Sequence, residues 1–456
     1  MSHDRPPEPT TPGVTADRLP PRYAFTDLQV EDLRAVLELD GTVFPSPVEV
    51  DELVDRPLPL TWPRTLGVVH EVPDPAAEPV DGAVPVLRDL VALHSSYPFS
   101  RFPVPGGVAP VAGLTWVAVH PGHRRQGILT AMIHTHLARC RERGEPLSAL
   151  FAAEAAIYGR FGYGRAADDL RVTLPRGARL RDVPGAARHT VRIERADRER
   201  HGDLVADLHR RVGDDPTGHG GVVNRPGWAA RETPELQAMF WDDAKVFRKD
   251  REPTRIVVVE LDGEPRGYAR FHRTLSWEPS GPRGSVRTGE VVALDAAAAR
   301  ALWGVLTDLD LTHEVVPFVL PVDDAVTHLL VDPRSATPRI ADNLWVRVVD
   351  VADALTARRY AADVDVVLHV TDELLGDNTG RWRVRGDAFG PAVAHRTDDA
   401  ADLSLDVREL GAAYLGGTSL AALGAAGFVA EHTPGALARA SAAFSWPVAP
   451  VCGWVF

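Results

Sequence analysis

Sulfur and lysine are the scarcest chemistry in this chain of 456 residues. Its two cysteines, Cys140 and Cys452, are too few for a disulfide framework or for a zinc site on their own. Lys245 and Lys249 are the only lysines among 50 basic residues; with abundant alanine, this reads as gene base composition rather than chemistry. No stretch approaches the roughly 18 uninterrupted apolar residues of a membrane helix. The first residues, MSHDRPPEPTTPG, are polar and proline-rich and lack the apolar centre of a secretory signal. A cytoplasmic protein without membrane association is expected. The 17 histidines form no HExxH, CxxC does not occur, and His134 and His136 fall on opposite sides of a helix, so no metal is expected. GxSxG elbows and GxxxxGK[ST] phosphate loops are also missing. A net charge of −13 argues against nucleic acid, which needs a positive stripe, and weakly favours cationic ligands through the long-range field.

What remains is ordinary globular composition, with 45% apolar and 25% charged residues. The length suggests three domains. Residues 1–22 hold six prolines and little to bury, and read as a disordered tail. A first region covers 23–185, a second 186–340 and a third 341–456. In the first, Asp32 to Leu39 reads as an amphipathic helix and Phe102 to Val111 as a hairpin around Pro-Gly-Gly. Leu114 to Val119 is a buried strand, Ile128 to Arg143 a helix with one apolar stripe, and Leu147 to Ala152 another strand. The second region repeats that order. Arg255 to Leu261 and Arg266 to Arg273 form a hairpin, and Glu290 to Leu294 is a strand running into a helix over Asp295 to Leu309. It has only Asp295 where the first region has HPGHRRQG, so the second copy has lost a loop. The third region mixes strands at Asp365–Val370, Gly380–Val384 and Leu403–Val407 with helices at Asp353–Arg359, Arg408–Tyr414 and Ser419–Ala425. The fold class is therefore α/β with an α+β third region.

The loop of the first region is the strongest signal. His123, Arg124, Arg125, Gln126 and Gly127 sit where a helix begins. A helix start offers unpaired N–H groups and partial positive charge, which suits phosphate oxygens. Gly127 lets backbone approach an anion, and the two arginines add fork-shaped donors. Positive charge at a helix start is unfavourable by about 0.3–1 kcal/mol unless an anion offsets it.

VAVHPGHRRQGILTAM resembles the acetyl-CoA loop of the GNAT superfamily of N-acetyltransferases, departing from its pattern at Leu129. The following segment, Ala152 through IYGRFGYG to Gly164, closely resembles the Eis (enhanced intracellular survival) family within it. That family has two tandem GNAT domains, the second without a cofactor loop, and then a sterol-carrier-like domain, in the order of the three regions here. The resemblance implies acetyl-CoA as co-substrate, held by Val117, Ala118 and Val119 through backbone. Arg124, Arg125, Gln126, Gly127, Ile128, Leu129 and Thr130 would lie at the pyrophosphate, and Ala153 and Glu154 near the cofactor. Trp116 would wall the acceptor pocket, although a core aromatic is an equal reading.

Acetyl transfer to an amine needs the ammonium deprotonated, the thioester carbonyl polarised and the leaving thiolate protonated. The resemblance makes Tyr158 the general acid; by itself it also reads as an aromatic packed beside Phe161 and Tyr163. The general base it implies is the carboxylate of the last residue, Phe456. Trp454, Val455 and Phe456 are apolar and expected to bury, which would raise that carboxylate's pKa; they would also serve simply to finish the third domain. The acceptor implied is a small polycationic amine such as an aminoglycoside, and the assembly a homohexamer. The alternatives are a protein lysine N-acetyltransferase and a non-catalytic binder of apolar ligands.

Overall fold

The computed structural model describes residues 19–74, 85–216 and 223–456. Most of the tail expected over residues 1–22 lies outside the described residues. The chain divides into two compact units. One comprises Met1–Arg56, Leu60–Tyr97 and Leu114–Glu142, the other Pro57–Pro59, Pro98–Gly113 and Arg143–Phe456.

In the first unit, strands β1 (Tyr23–Asp27), β2 (Leu66–Pro73) and the start of β3 (Val86–Val104) pair antiparallel, with Tyr23 opposite His70 and Leu66 opposite His94. Helix α1 (Leu33–Val43) covers the expected 32–39 segment and runs one turn further; Val36, Leu37 and Leu39 supply its buried face. A single-turn α2 (Val50–Leu53) follows. The latter half of β4 (Gly107–Val119) leads into α3 (Ile128–Glu142). The stripe read from the sequence is buried: Ile128, Met132, Ile133, Leu137 and Cys140 are each at most 1% exposed. Ile128 and Met132 pack with Val68, Val91 and Ala92, so the first turn of α3 is anchored on β2 and β3.

The second unit includes the hairpin turn between β3 and β4, where Gly106 takes φ +67 as the Pro-Gly-Gly reading requires. Strand β5 (Leu147–Leu150) runs parallel to β4, with Val111 to Gly113 opposite Leu147 to Ala149. Next come the one-turn α4 (Ala155–Tyr158) and the short strands β6 (Gly164–Arg165), β7 (Asp168–Arg171) and β8 (Leu174–Pro175). A six-stranded sheet is built from β8 with β9 (Thr190–Arg195), β10 (Arg255–Leu261), β11 (Glu264–Thr274), β14 (Gly284–Ala293) and β15 (Thr312–Pro317). The two-residue strands β12 (Trp277–Glu278) and β13 (Gly281–Pro282) form a ribbon between β11 and β14 in the chain.

Alternation along β10 and β11 sends side chains to both faces of this sheet. Val257, Val259, Ala269 and Phe271 meet Ala298, Leu302 and Trp303 of α8 (Ala296–Leu306). Ile256, Val258 and Tyr268 meet Val205 and Leu208 of α5 (Arg198–Asp214), Trp228 and Val451. Helices α6 (Pro234–Trp241) and α7 (Lys245–Arg248) lie in the connection from α5 to β10. After β15 come β16 (Leu320–Pro321), α9 (Ala325–Leu329) and β17 (Arg339–Asp342); β16 and β17 both pair with β7.

Strand β18 (Trp345–Val348) sits at the opening of the third region in sequence, yet it pairs antiparallel with β5 and β6. The third region proper is a five-stranded sheet of β19 (Val364–Thr371), β20 (Gly380–Gly386), β21 (Ala392–Arg396), β22 (Leu403–Asp406) and β23 (Val429–Glu431). Its helices are α10 (Val351–Ala357), α11 (Val407–Tyr414), α12 (Leu420–Ala425) and α13 (Ala436–Phe444). A buried ion pair, in which Arg347 Nη2 donates to both Asp372 carboxylate oxygens at 2.7 and 2.8 Å with both side chains at most 1% exposed, ties β18 to the end of β19. Among the described residues no helix is long and apolar enough to cross a membrane.

Candidate active site

The loop after β4 has the geometry of an oxyanion cradle. His120 accepts a hydrogen bond from the Gly122 N–H at its own Nδ1, opening a single 3-10 turn over Pro121–His123. Arg124 returns to extended backbone, Arg125 takes φ +63 and Gly127 φ +81 before α3 starts at Ile128. Left-handed residues alternating in a short loop are a backbone pattern that anion-binding nests use. At Gly127 that conformation is free of steric cost; at Arg125 it is a local strain of the kind found at ligand clamps. Arg124, Arg125 and Gln126 are exposed, whereas Ile128 is buried and Leu129 and Thr130 are half-buried. The guanidinium groups therefore stand in solvent above a helix start fixed from below. These residues fit a pyrophosphate.

His70 and His120, not singled out in the sequence, flank His123 in this loop. The His123 ring lies 5.0 Å from His70 and 5.4 Å from His120, and its Nδ1 is 2.9 Å from the Tyr23 hydroxyl. Burial, and then the neighbouring His70 and His120, hold the His123 pKa below its usual value. A neutral imidazole here packs without adding charge beside the arginines.

Upstream on β4, Trp116 takes φ +55, an uncommon conformation for a bulky residue. It breaks the strand's regular alternation just before Val117, Ala118 and Val119, of which Ala118 alone is buried. Nearby Tyr97 is pushed up to about 12 by burial, against hydrogen bonds from Trp116 and Thr115. Trp116 itself is half-buried.

The remaining expected site residues belong to the second unit. Ala153 and Glu154 are exposed at the start of α4, and Tyr158 ends it at 8% exposure. Desolvation, reinforced by the charge of Glu154, pushes the Tyr158 phenol up to about 12. It therefore keeps its proton throughout the neutral range and is equipped to donate rather than accept one. The Tyr163 ring lies 6.0 Å away, edge to face, and the Tyr163 hydroxyl is 2.8 Å from that of Ser148 on β5.

Phe456 is 9% exposed. Its ring lies 5.0 Å from Phe99, 5.1 Å from Phe151 and 5.6 Å from Trp454. A Cβ on Gly113 would approach the Phe456 ring to 3.1 Å, so the missing side chain on β4 makes its berth. The last residue thus packs at the end of β5, next to the segment that leads to Tyr158. Val455, in contrast, is 43% exposed.

The residues that seat this terminus were not foreseen. Asn343 grips Cys452 from both sides: its Oδ1 accepts from the Cys452 N–H at 2.8 Å and its Nδ2 donates to the Cys452 carbonyl at 3.2 Å. The Val451 N–H donates to the Pro226 carbonyl at 3.0 Å, and the Trp454 indole to the Ala229 carbonyl at 2.7 Å. Arg231 lies over the Trp454 ring, 5.1 Å from its centroid. Arg231 in turn donates to Glu290 at 3.1 Å, and Glu290 accepts from the Tyr268 hydroxyl at 2.6 Å. Glu290 is 3% exposed, and the charge of Arg231 overrides its burial to hold its pKa below the usual carboxylate value. No spacing rule could pair Asn343 with Cys452, which are 109 positions apart.

The second region's counterpart of the loop is closed by its own side chain. Asp295 caps α8, accepting from the Ala298 N–H at 2.9 Å, and pairs with Arg266 at 2.6 Å. A carboxylate already occupies the helix start where a phosphate would sit.

Comparisons with known proteins find three domain models along the chain. Models of the acetyltransferase (GNAT) domain match residues 25–166 and 227–348, and a sterol carrier protein domain model matches residues 351–453. An uncharacterised N-acetyltransferase of Streptomyces avermitilis is 45% identical over 352 residues, covering 77% of this chain and 83% of that one. N-acetyltransferase Eis of Mycobacterium tuberculosis is 35% identical over 390 residues, covering 80% and 87% respectively. The crystal structure of Eis1 from Mycobacterium abscessus superposes with a TM-score of 0.73 at 30% identity, over 95% of this chain and all of that one. A GCN5-related N-acetyltransferase from Anabaena variabilis, at 20% identity and a TM-score of 0.74, shares the fold. With two GNAT domains and a sterol-carrier-like domain in this order, and relatives of this similarity over most of their length, the chain is an acyltransferase and belongs to the Eis family of N-acetyltransferases.

Proposed function

We propose that this enzyme moves the acetyl group of acetyl-CoA to an amine of a small polycationic acceptor of the aminoglycoside type. Acetyl-CoA is the donor that GNAT acetyltransferases use. In this reading Arg124 and Arg125, with the backbone from Gln126 to Thr130, hold the pyrophosphate, and Val117 to Val119 hold the pantetheine arm. Ala153 and Glu154 flank the cofactor, and Trp116 walls the acceptor. The carboxylate of Phe456 takes the ammonium proton, leaving a lone pair on the nitrogen for direct attack on the thioester. Tyr158 returns a proton to the departing sulfur.

The observation that carries the acid–base assignment is the pairing of a buried, fully protonated Tyr158 with a last residue that is buried rather than frayed. The formal charge of −13 supports a cationic acceptor. Steady-state assays with a panel of aminoglycosides and of lysine peptides test the acceptor class: turnover confined to the peptides would replace this reading with protein lysine acetylation. A lipid would meet charge in the third region. The third region's cavity of about 550 Å³ has charged residues on its walls, among them Asp363, Asp365, Arg385 and Asp402. A homohexamer acting in the cytoplasm completes the proposal, and sedimentation equilibrium tests the assembly.

A further inference from the structure

The second GNAT region cannot receive a phosphate at α8, because Asp295 fills that helix start, yet it contains a cleft of another kind. The cleft has a volume of about 870 Å³ and lies over the end of the β14–β15 pairing, lined by Arg287 to Gly289 and by Val316 to Phe318. Five arginines, Arg171, Arg251, Arg270, Arg287 and Arg339, line it. Among the described residues Asp242 is the one carboxylate on its wall. In a chain with a strong negative excess, this concentration of positive charge is local and unusual.

Two of these arginines are neutralised. Arg171 grips Asp169 with both ends of its guanidinium, and Arg251 pairs with Asp243 at 2.9 Å. Arg287 and Arg339 are exposed and make no ion pair or side-chain hydrogen bond among the described residues. Arg270 is 9% exposed, lies 3.8 Å from the Phe240 ring centroid and 4.9 Å from that of Trp241, and its Nε has no hydrogen-bond partner. Glu290, opposite Arg270 across β11 and β14, is already taken by Arg231 and Tyr268.

The strand registers set basic residues opposite one another in the cleft wall. Arg171 lies opposite Arg339 across β7 and β17, and His272 lies opposite Arg287 across β11 and β14. Like charges placed directly opposite destabilise a sheet. Burial, then Arg251 and Arg287, pull the His272 pKa down to about 4, so the fold relieves one of these pairs by keeping the imidazole neutral. In the other pair Arg171 is met by Asp169, while Arg339 has no carboxylate of its own among the described residues. An apolar wall, including Phe271 and the 45% exposed Phe318, completes the cleft.

We propose that this cleft binds a small, multiply charged oxyanion, a phosphorylated or carboxylated metabolite, through the free guanidinium forks of Arg287 and Arg339 and the buried Arg270. Fork-shaped donors match phosphate and carboxylate oxygens, and a bound anion supplies the counter-charge that Arg287 and Arg339 lack among the described residues. This site is separate in sequence from the acetyl-CoA loop and does not depend on the acceptor or mechanism proposed above.

Titration calorimetry on the full chain, saturated with CoA to occupy the loop of the first region, tests this with pyrophosphate and with citrate. The comparison protein is the double variant Arg287→Ala, Arg339→Ala. Both side chains are exposed, so the variant folds, which circular dichroism checks. Saturable binding of at least one probe, weakened about tenfold or more in the variant, is expected. Tighter pyrophosphate assigns the phosphorylated class and tighter citrate the carboxylated class. The CoA affinity and acetylation rate of the variant should equal those of the parent. No saturable heat with either probe, or equal binding to parent and variant, overturns the proposal.

Discussion

Replacing Asn343 by alanine should release the last residues of the chain without touching any group assigned to chemistry. The carboxamide satisfies both the N–H and the carbonyl of buried Cys452. Each buried polar group left unpaired costs about 1–3 kcal/mol, so the pair costs roughly 2–6 kcal/mol. At about 1.4 kcal/mol per tenfold, this shifts the docking equilibrium of the terminus by roughly 30-fold to 10⁴-fold. The Trp454 indole and the rings around Phe456 still favour docking, so the expected result is a terminus that opens often rather than one that is lost. Hydrogen exchange should then speed up at Cys452 to Phe456. Turnover measured well below the melting temperature should fall, while the affinity for acetyl-CoA stays unchanged. If exchange accelerates as calculated and turnover does not change, a seated terminus is not required for catalysis and the reasoning fails.

Three further expectations follow from the same geometry. Tyr158→Phe should reduce kcat by about 10²–10⁴-fold, the usual contribution of a positioned acid, and leave CoA binding intact. Because the Tyr158 pKa is raised, its proton is present below about 12, and it should cause no loss of activity between neutral pH and pH about 10. An alkaline limb that starts near neutrality and vanishes in the Phe variant would contradict the assignment. Arg125→Ala should weaken acetyl-CoA binding by about 10- to 100-fold, the worth of a charge-assisted hydrogen bond, with kcat at saturation little altered; direct titration against kinetic KM checks this. Asp372→Ala leaves the fully buried Arg347 without its partner and should cost about 3–5 kcal/mol of stability, read by chemical denaturation. A loss under 1 kcal/mol, a figure of about the size expected for an exposed pair, would mean that this ion pair does not tie β18 to the third region.

Local signals in the sequence were sufficient where one element carries its own pattern. The stripe of α3 and the Pro-Gly-Gly hairpin appear where periodicity and turn chemistry place them. Asp295 before an alanine run announces both the start of α8 and the loss of the loop, because an N-cap carboxylate and a bound phosphate compete for the same N–H groups. The loop before α3 was legible for the same reason: a helix start, a glycine and two arginines are neighbours in the chain. What escaped were contacts between distant segments. Trp345–Val348 has a buried pattern that fits either region, and only pairing with β5 and β6 decides its sheet. Asn343 is one asparagine among many polar residues until the fold brings Cys452 to it. The arginine-lined cleft is assembled from β7, β11, β14 and β17, and no window of sequence contains it. The backbone inversion at Trp116 also left no trace, since tryptophan rarely adopts φ +55.

The account rests most heavily on the carboxylate of Phe456 as the group that takes the acceptor's proton. Adding one glycine after Phe456 moves the charged end of the chain by a residue and turns the present carboxylate into an amide. The most direct measurement is the pH–rate profile of that extended enzyme beside the parent, with CoA affinity and melting temperature as controls. The account predicts a fall in kcat of about 10²–10⁴-fold and loss of the acidic limb, with both controls unchanged. An extended enzyme that turns over at the parent rate with the parent profile would contradict it.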